Sequence, residues 1–141
     1  MKNRLTIIIV LAVIGFAVSS YLLTVHWGWW QAVCLGVGDC EAVNQSRYSE
    51  LLGVPVALLG AFTYLAFILF SVLIARDVLA ELLRRAQFFA AAIGVAFSVY
   101  LTYIELFVLY NLCPWCVLSA IVVTLIAVFS AWELVAAPAQ T

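Results

Sequence analysis

The sequence predicts an all-α integral membrane protein: a four-transmembrane-helix bundle with a long outer loop between helices 1 and 2. Three observations predict it. Of the 141 residues, 68% are hydrophobic and 9% charged, with a mean hydropathy of +1.22; soluble domains run at about 45–50% apolar and about 25% charged. Four apolar runs reach the roughly 20 residues that a spanning helix needs. Finally, the basic residues gather at one side of those runs, as they do in loops that stay inside. The length leaves room for one domain, 1–141. A net charge of −1 without a basic block excludes a nucleic-acid binder.

The first helix is expected over about residues 5–25. Lys2 and Arg4, an apolar run and Ala17-Val18-Ser19 imitate a secretory signal. The apolar run continues through Tyr21, Leu22 and Leu23, however, which gives it spanning length. Residues 26–52 form the one long loop. It carries Trp27, Trp29 and Trp30, suited to a membrane interface, and the first two cysteines, Cys34 and Cys40. His26 is read as interfacial.

Helix 2 is expected over about 53–75, followed by a short polar turn from Arg76 to Arg85 and helix 3 over about 86–110. On helix 3, Phe97, Tyr100, Tyr103, Phe107 and Tyr110 recur every three or four residues and so share a face. A flat ring could lie against that stripe, although such stripes also serve plain packing. Glu105 is an acidic residue well inside a span, off the stripe and roughly opposite in rotation. Ionisable groups in membrane helices are candidates for function. A tight turn at Asn111-Leu112 leads to helix 4, about 113–135.

Lys2, Arg4, Arg76, Arg84 and Arg85 fall on one side of the spans and Arg47 on the other. This places both termini in the cytoplasm and all four cysteines on the oxidising side of a cytoplasmic (inner) membrane, in a multi-pass topology.

Cys113 and Cys116 stand two residues apart, with Pro114 between them at a helix start. Proline suits the first helical turn. The helix N-terminus favours thiolate, the form that exchanges disulfides. Cys34 and Cys40 flank a pliant Leu-Gly-Val-Gly-Asp segment. Two pairs on one face suggest a relay in which the loop pair meets an aqueous partner. The membrane-edge pair then meets a lipid-soluble two-electron acceptor, for which a quinone is the ordinary candidate. Competing readings are a purely structural loop disulfide, a four-thiolate zinc site and an iron–sulfur cluster. The five-residue gap of the first pair exceeds the usual zinc spacing, and Val117 stands where a c-type haem site needs histidine.

With these features in place, the sequence resembles the vitamin K epoxide reductase family in its bacterial form, over about Leu5 to Val135. The resemblance rests on Cys34 and Cys40 in the first outer loop, "NQSRYSELLGVPVALLG" from Asn44 and "SVYLTYIELFVLYNLCPWC" from Ser98. The disulfide-bond-formation B family also has four spans and four cysteines, but its close pair lies in the first outer loop. The resemblance implies a four-helix bundle around a quinone of ubiquinone or menaquinone/vitamin K type, with electrons taken from a thioredoxin-fold thiol oxidase. By position, Cys34 would receive those electrons, Cys40 would carry them to Cys113, and Cys116 would reduce the quinone. Ser46 matches a family serine near the quinone. The catalytic expectation is thus Cys34, Cys40, Cys113 and Cys116. The quinone-binding expectation is Ser46 with Phe97, Tyr100, Tyr103, Phe107 and Tyr110, and no metal is expected. Many bacterial members carry a fused thioredoxin-like domain after the last helix. The expectation here is a separate extracytoplasmic partner and a monomeric chain. Animal members have a tyrosine where this chain has Ala120, so epoxide reduction and anticoagulant sensitivity do not carry over directly.

Overall fold

The computed structural model describes residues 2–27, 50–51, 53–108, 110 and 114–136. Four long helices run in chain order: α1 (Lys2–His26), α2 (Val56–Ala75), α3 (Ala80–Phe107) and α4 (Pro114–Ala136). All four are long and apolar enough to cross a membrane. Before α2 sits a two-stranded antiparallel ribbon, β1 (Glu50–Leu51) with β2 (Val54–Pro55), pairing Glu50 with Pro55 and Leu51 with Val54. Gly53 turns between the strands at φ +82°, a conformation open to glycine without a Cβ penalty.

Each helix packs along its neighbours: α1 on α2 and α4, and α3 on α4 and α2. The contact pattern is that of a four-cornered bundle. One end carries Arg4, Arg76, Arg84 and Arg85 and is called the basic end below. The other carries Cys116 and is the cysteine end. Large apolar side chains such as Val10, Phe62, Ile93 and Val128 point outward from the four helices. In water this would be a liability; in lipid it is the expected solvated surface.

The core has three layers. At its middle, Ile8 and Ala12 of α1, Tyr64 and Phe67 of α2, Ala91 of α3, and Val122, Val123 and Ile126 of α4 form one apolar cluster. Toward the basic end comes a polar layer. Gln87 accepts from Ser71 Oγ at 3.4 Å through Oε1, and donates to Ser130 Oγ at 3.3 Å through Nε2. All three side chains are buried, so this layer satisfies its polar groups internally, as a water-free interior requires. Beyond it, Glu133 joins two helices ionically. It accepts from Arg4 Nε at 2.6 Å, and its second oxygen lies 3.8 Å from Arg84 Nε. Arg4 also stands 5.2 Å over the Trp132 ring, a cation–π arrangement.

Several element boundaries differ from the sequence expectation; α1 begins at Lys2 rather than near residue 5, and α2 at Val56 rather than near residue 53, because Val54 and Pro55 belong to the ribbon. Helix α3 begins at Ala80 rather than near residue 86, so the polar turn shrinks to 76–79. Hydropathy reads the charges of Glu81, Arg84 and Arg85 as a loop. In the structure they continue the helix: Glu81 pairs with Arg85 at 2.9 Å one turn on, and Arg84 turns into the core toward Glu133. The turn itself is a Schellman closure, with Asp77 N donating to Ile74 O and Val78 N to Leu73 O, both at 3.0 Å. Asp77 occupies the left-handed position, φ 57°, that glycine usually fills. At its far end α3 stops at Phe107, not at Tyr110. Tyr110 lies outside the helix at φ 53°.

Candidate redox site at the cysteine end

Pro114 is the first residue of α4, where its missing N–H costs no intrahelical bond. This puts Cys116 in the first helical turn, half-buried, at the positive end of the helix dipole.

The helix start is anchored on two sides. Trp115, between the two cysteines in sequence, packs on Tyr21 of α1 with ring centroids 5.3 Å apart. One turn further along α4, Ser119 meets the hydroxyl of Tyr64 from α2. The two hydroxyls are 2.8 Å apart, and Tyr64 also donates to the Ser119 carbonyl at 3.0 Å. Tyr64 is itself pressed onto α1 at Gly15, where any Cβ would collide with the phenol ring. Three helices thereby fix the register of Cys116. Around Cys116 lie an aromatic pair and, one turn deeper, a hydroxyl pair.

The aromatic stripe of α3 lies on its exposed face. Tyr100, Tyr103, Phe107 and Tyr110 are 50 to 80% exposed, and Phe97 is half-buried. Their rings pair along the outer face, Phe97 with Tyr100 at 6.1 Å and Tyr103 with Phe107 at 5.0 Å. These four side chains face the lipid side rather than the bundle interior. The residues that turn inward on α3 are Arg84, Gln87, Ala91, Ile104 and Glu105. The helix is rotated by its polar residues, because lipid accepts aromatic rings freely and rejects carboxylates and guanidiniums.

Cys116 is the one cysteine among the described residues; Cys34, Cys40, Cys113 and the loop residue Ser46 lie outside them. The side chains that sequence reasoning missed are Tyr21, Trp115, Tyr64 and Ser119. Ser119 carried a usable signal, three residues after Cys116 and therefore on the same helix face. Tyr21 and Tyr64 carried none, since their role depends on which helices become neighbours.

Residues 6–131 match the family model described as the vitamin K epoxide reductase family. That stretch covers all of α2 and α3 and nearly all of α1 and α4. The chain therefore belongs to the vitamin K epoxide reductase family, membrane oxidoreductases of quinone and disulfide chemistry.

Proposed function

We propose that the chain is a membrane thiol:quinone oxidoreductase that forms disulfides by oxidising a thioredoxin-fold partner and reducing quinone. The observation that carries this reading is the position of Cys116, half-buried in the first turn of a spanning helix in a family of this chemistry. A thiol there is within reach of the bilayer, where a lipid-soluble acceptor resides.

The steps follow from thiol–disulfide exchange. A partner thiolate attacks a Cys34–Cys40 disulfide at Cys34, and the partner leaves oxidised. The reduced loop pair passes its electrons to Cys113 by a second exchange, which leaves Cys113 and Cys116 as thiols. The quinone, when bound, accepts two electrons and two protons. Cys116 delivers the electrons as the Cys113–Cys116 bond reforms. Trp115, Tyr21 and the Tyr64–Ser119 pair hold Cys116 in register for that delivery. The clustering of Arg4, Arg76, Arg84 and Arg85 at one end supports a topology with the termini in the cytoplasm and the cysteine end outside.

The partner half of the cycle is tested with a thioredoxin-fold dithiol donor carrying only one of its two cysteines. It should accumulate as a mixed disulfide on Cys34, and Cys34→Ala should abolish the adduct. An adduct that persists in Cys34→Ala would overturn this assignment. Vitamin K epoxide offered in place of quinone separates disulfide formation from epoxide reduction as the main activity.

A further inference from the structure

A groove of about 620 Å³ opens at the basic end, lined by Asp77, Leu79, Ala80, Glu81, Leu82 and Arg85. Helix α2 has 20 residues and so spans roughly 30 Å, the thickness of the hydrocarbon core. Its end at Ala75 therefore reaches the bilayer surface, and the turn 76–79 that follows lies at the level of the lipid headgroups.

The charges of the groove are of both signs. Arg85 holds Glu81 at 2.9 Å, and its side chain remains largely exposed. Asp77 is exposed and enters no ion pair among the described residues. Large apolar side chains flank these charges: Leu79 and Leu82 are 67% and 62% exposed. Leu79 holds its place at φ 50°, a left-handed backbone that bulky residues seldom adopt. One turn beyond Arg85, on the same side of α3, Phe89 is exposed as well.

These groups are ordered by depth. Asp77 is outermost, in the turn. Arg85 lies about 7.5 Å inward of Ala80 along α3, and Phe89 about 6 Å further, by the helical rise. Carboxylate, guanidinium and aromatic ring thus follow one another from the surface toward the hydrocarbon. A phospholipid with an amine headgroup has the complementary order: ammonium outermost, phosphate beneath it, acyl chains below. Guanidinium suits phosphate, and a carboxylate accepts from ammonium. An anionic headgroup would meet two carboxylates for one guanidinium, and a choline headgroup has no N–H to donate.

We propose that this groove binds a phosphatidylethanolamine-type lipid. Asp77 accepts from the ammonium, Arg85, steadied by Glu81, takes the phosphate, and Leu82 and Phe89 bear on the upper acyl chain. The site does not depend on the function proposed above.

The test uses the purified full chain in detergent. Native mass spectrometry counts bound lipid while dioleoyl phosphatidylethanolamine, phosphatidylcholine or phosphatidylglycerol is titrated. The parent should retain phosphatidylethanolamine roughly threefold or more over the other two, the size of one exposed ion pair. Asp77→Asn keeps a residue that tolerates the left-handed position. It should lose that preference, with phosphatidylcholine retention and the unfolding midpoint unchanged. Arg85→Gln should weaken retention of the ethanolamine and choline lipids alike, because both carry the phosphate. Equal retention of the three lipids by the parent overturns the proposal. So does a preference for phosphatidylglycerol, which marks a plain basic surface, or an ethanolamine preference that survives Asp77→Asn. Lipid retention that neither variant alters, as for a groove filled by a soluble protein, overturns it too. Should Asp77→Asn lose its fold, Asp77→Gly decides by the same criterion, since glycine fits that backbone without strain.

Discussion

Replacing Glu133 by glutamine keeps the side-chain volume and removes only the charge. The structure shows what that charge holds. Glu133 is 2% exposed and faces Arg4 at 2.6 Å and Arg84 at 3.8 Å, with Arg84 itself 4% exposed. Removing one member of a buried ion group typically costs about 3–5 kcal/mol, since the remaining charges stay buried without compensation. The amide oxygen of glutamine still accepts one hydrogen bond, so the estimate falls at the lower limit, about 3 kcal/mol. Arg4→Met should cost less, about 1–2 kcal/mol, because Arg4 is partly exposed and Glu133 would keep Arg84. The assay is unfolding of the detergent-solubilised chain, by heat or by a denaturing detergent. The ordering Glu133→Gln above Arg4→Met is the decisive feature. A Glu133→Gln variant within 1 kcal/mol of the parent, or less disruptive than Arg4→Met, would refute the view of Glu133 as the clamp of α1, α3 and α4. Since the clamp lies at the basic end, turnover well below the unfolding midpoint should remain at the parental level.

Two further substitutions test the packing. Gly15→Ala places a Cβ into the Tyr64 ring, which is held in place by Ser119; it should destabilise by about 1–3 kcal/mol in the same unfolding assay. Asp77→Gly should stabilise by about 0.5–1 kcal/mol, because Asp77 occupies a left-handed position at the end of α2 that glycine adopts without strain. An unchanged or lower unfolding midpoint would count against the strain assigned to that turn.

Most of the bundle was legible in the sequence because spanning helices depend on length and hydropathy, both local properties. Cys116 in the first turn of α4 was legible for the same reason: proline at the preceding helix start is a local signal. Rotation was harder. Periodicity shows that Tyr100, Tyr103 and Phe107 share a face with Phe97, but not whether that face meets protein or lipid. In a membrane both sides of a helix are apolar, and aromatic rings suit either. The rotation of α3 is set by Arg84, Gln87 and Glu105, whose burial in the bundle removes them from lipid. Those three residues lie on one seam in the sequence and would have oriented the helix. The charged start of α3 was hidden because Arg84 looks like a loop cation until Glu133, about fifty residues later, is placed beside it. The Tyr64–Ser119 contact is likewise a product of tertiary packing between α2 and α4.

The proposed function has Cys116 transfer electrons from thiols to a quinone in the bilayer. The most direct measurement is anaerobic quinol formation by the purified chain, supplied with a dithiol and ubiquinone-1 or menadione. The parent should form one quinol per dithiol oxidised, and Cys116→Ala no quinol above the uncatalysed background at an unchanged unfolding midpoint. Full turnover by Cys116→Ala would contradict it.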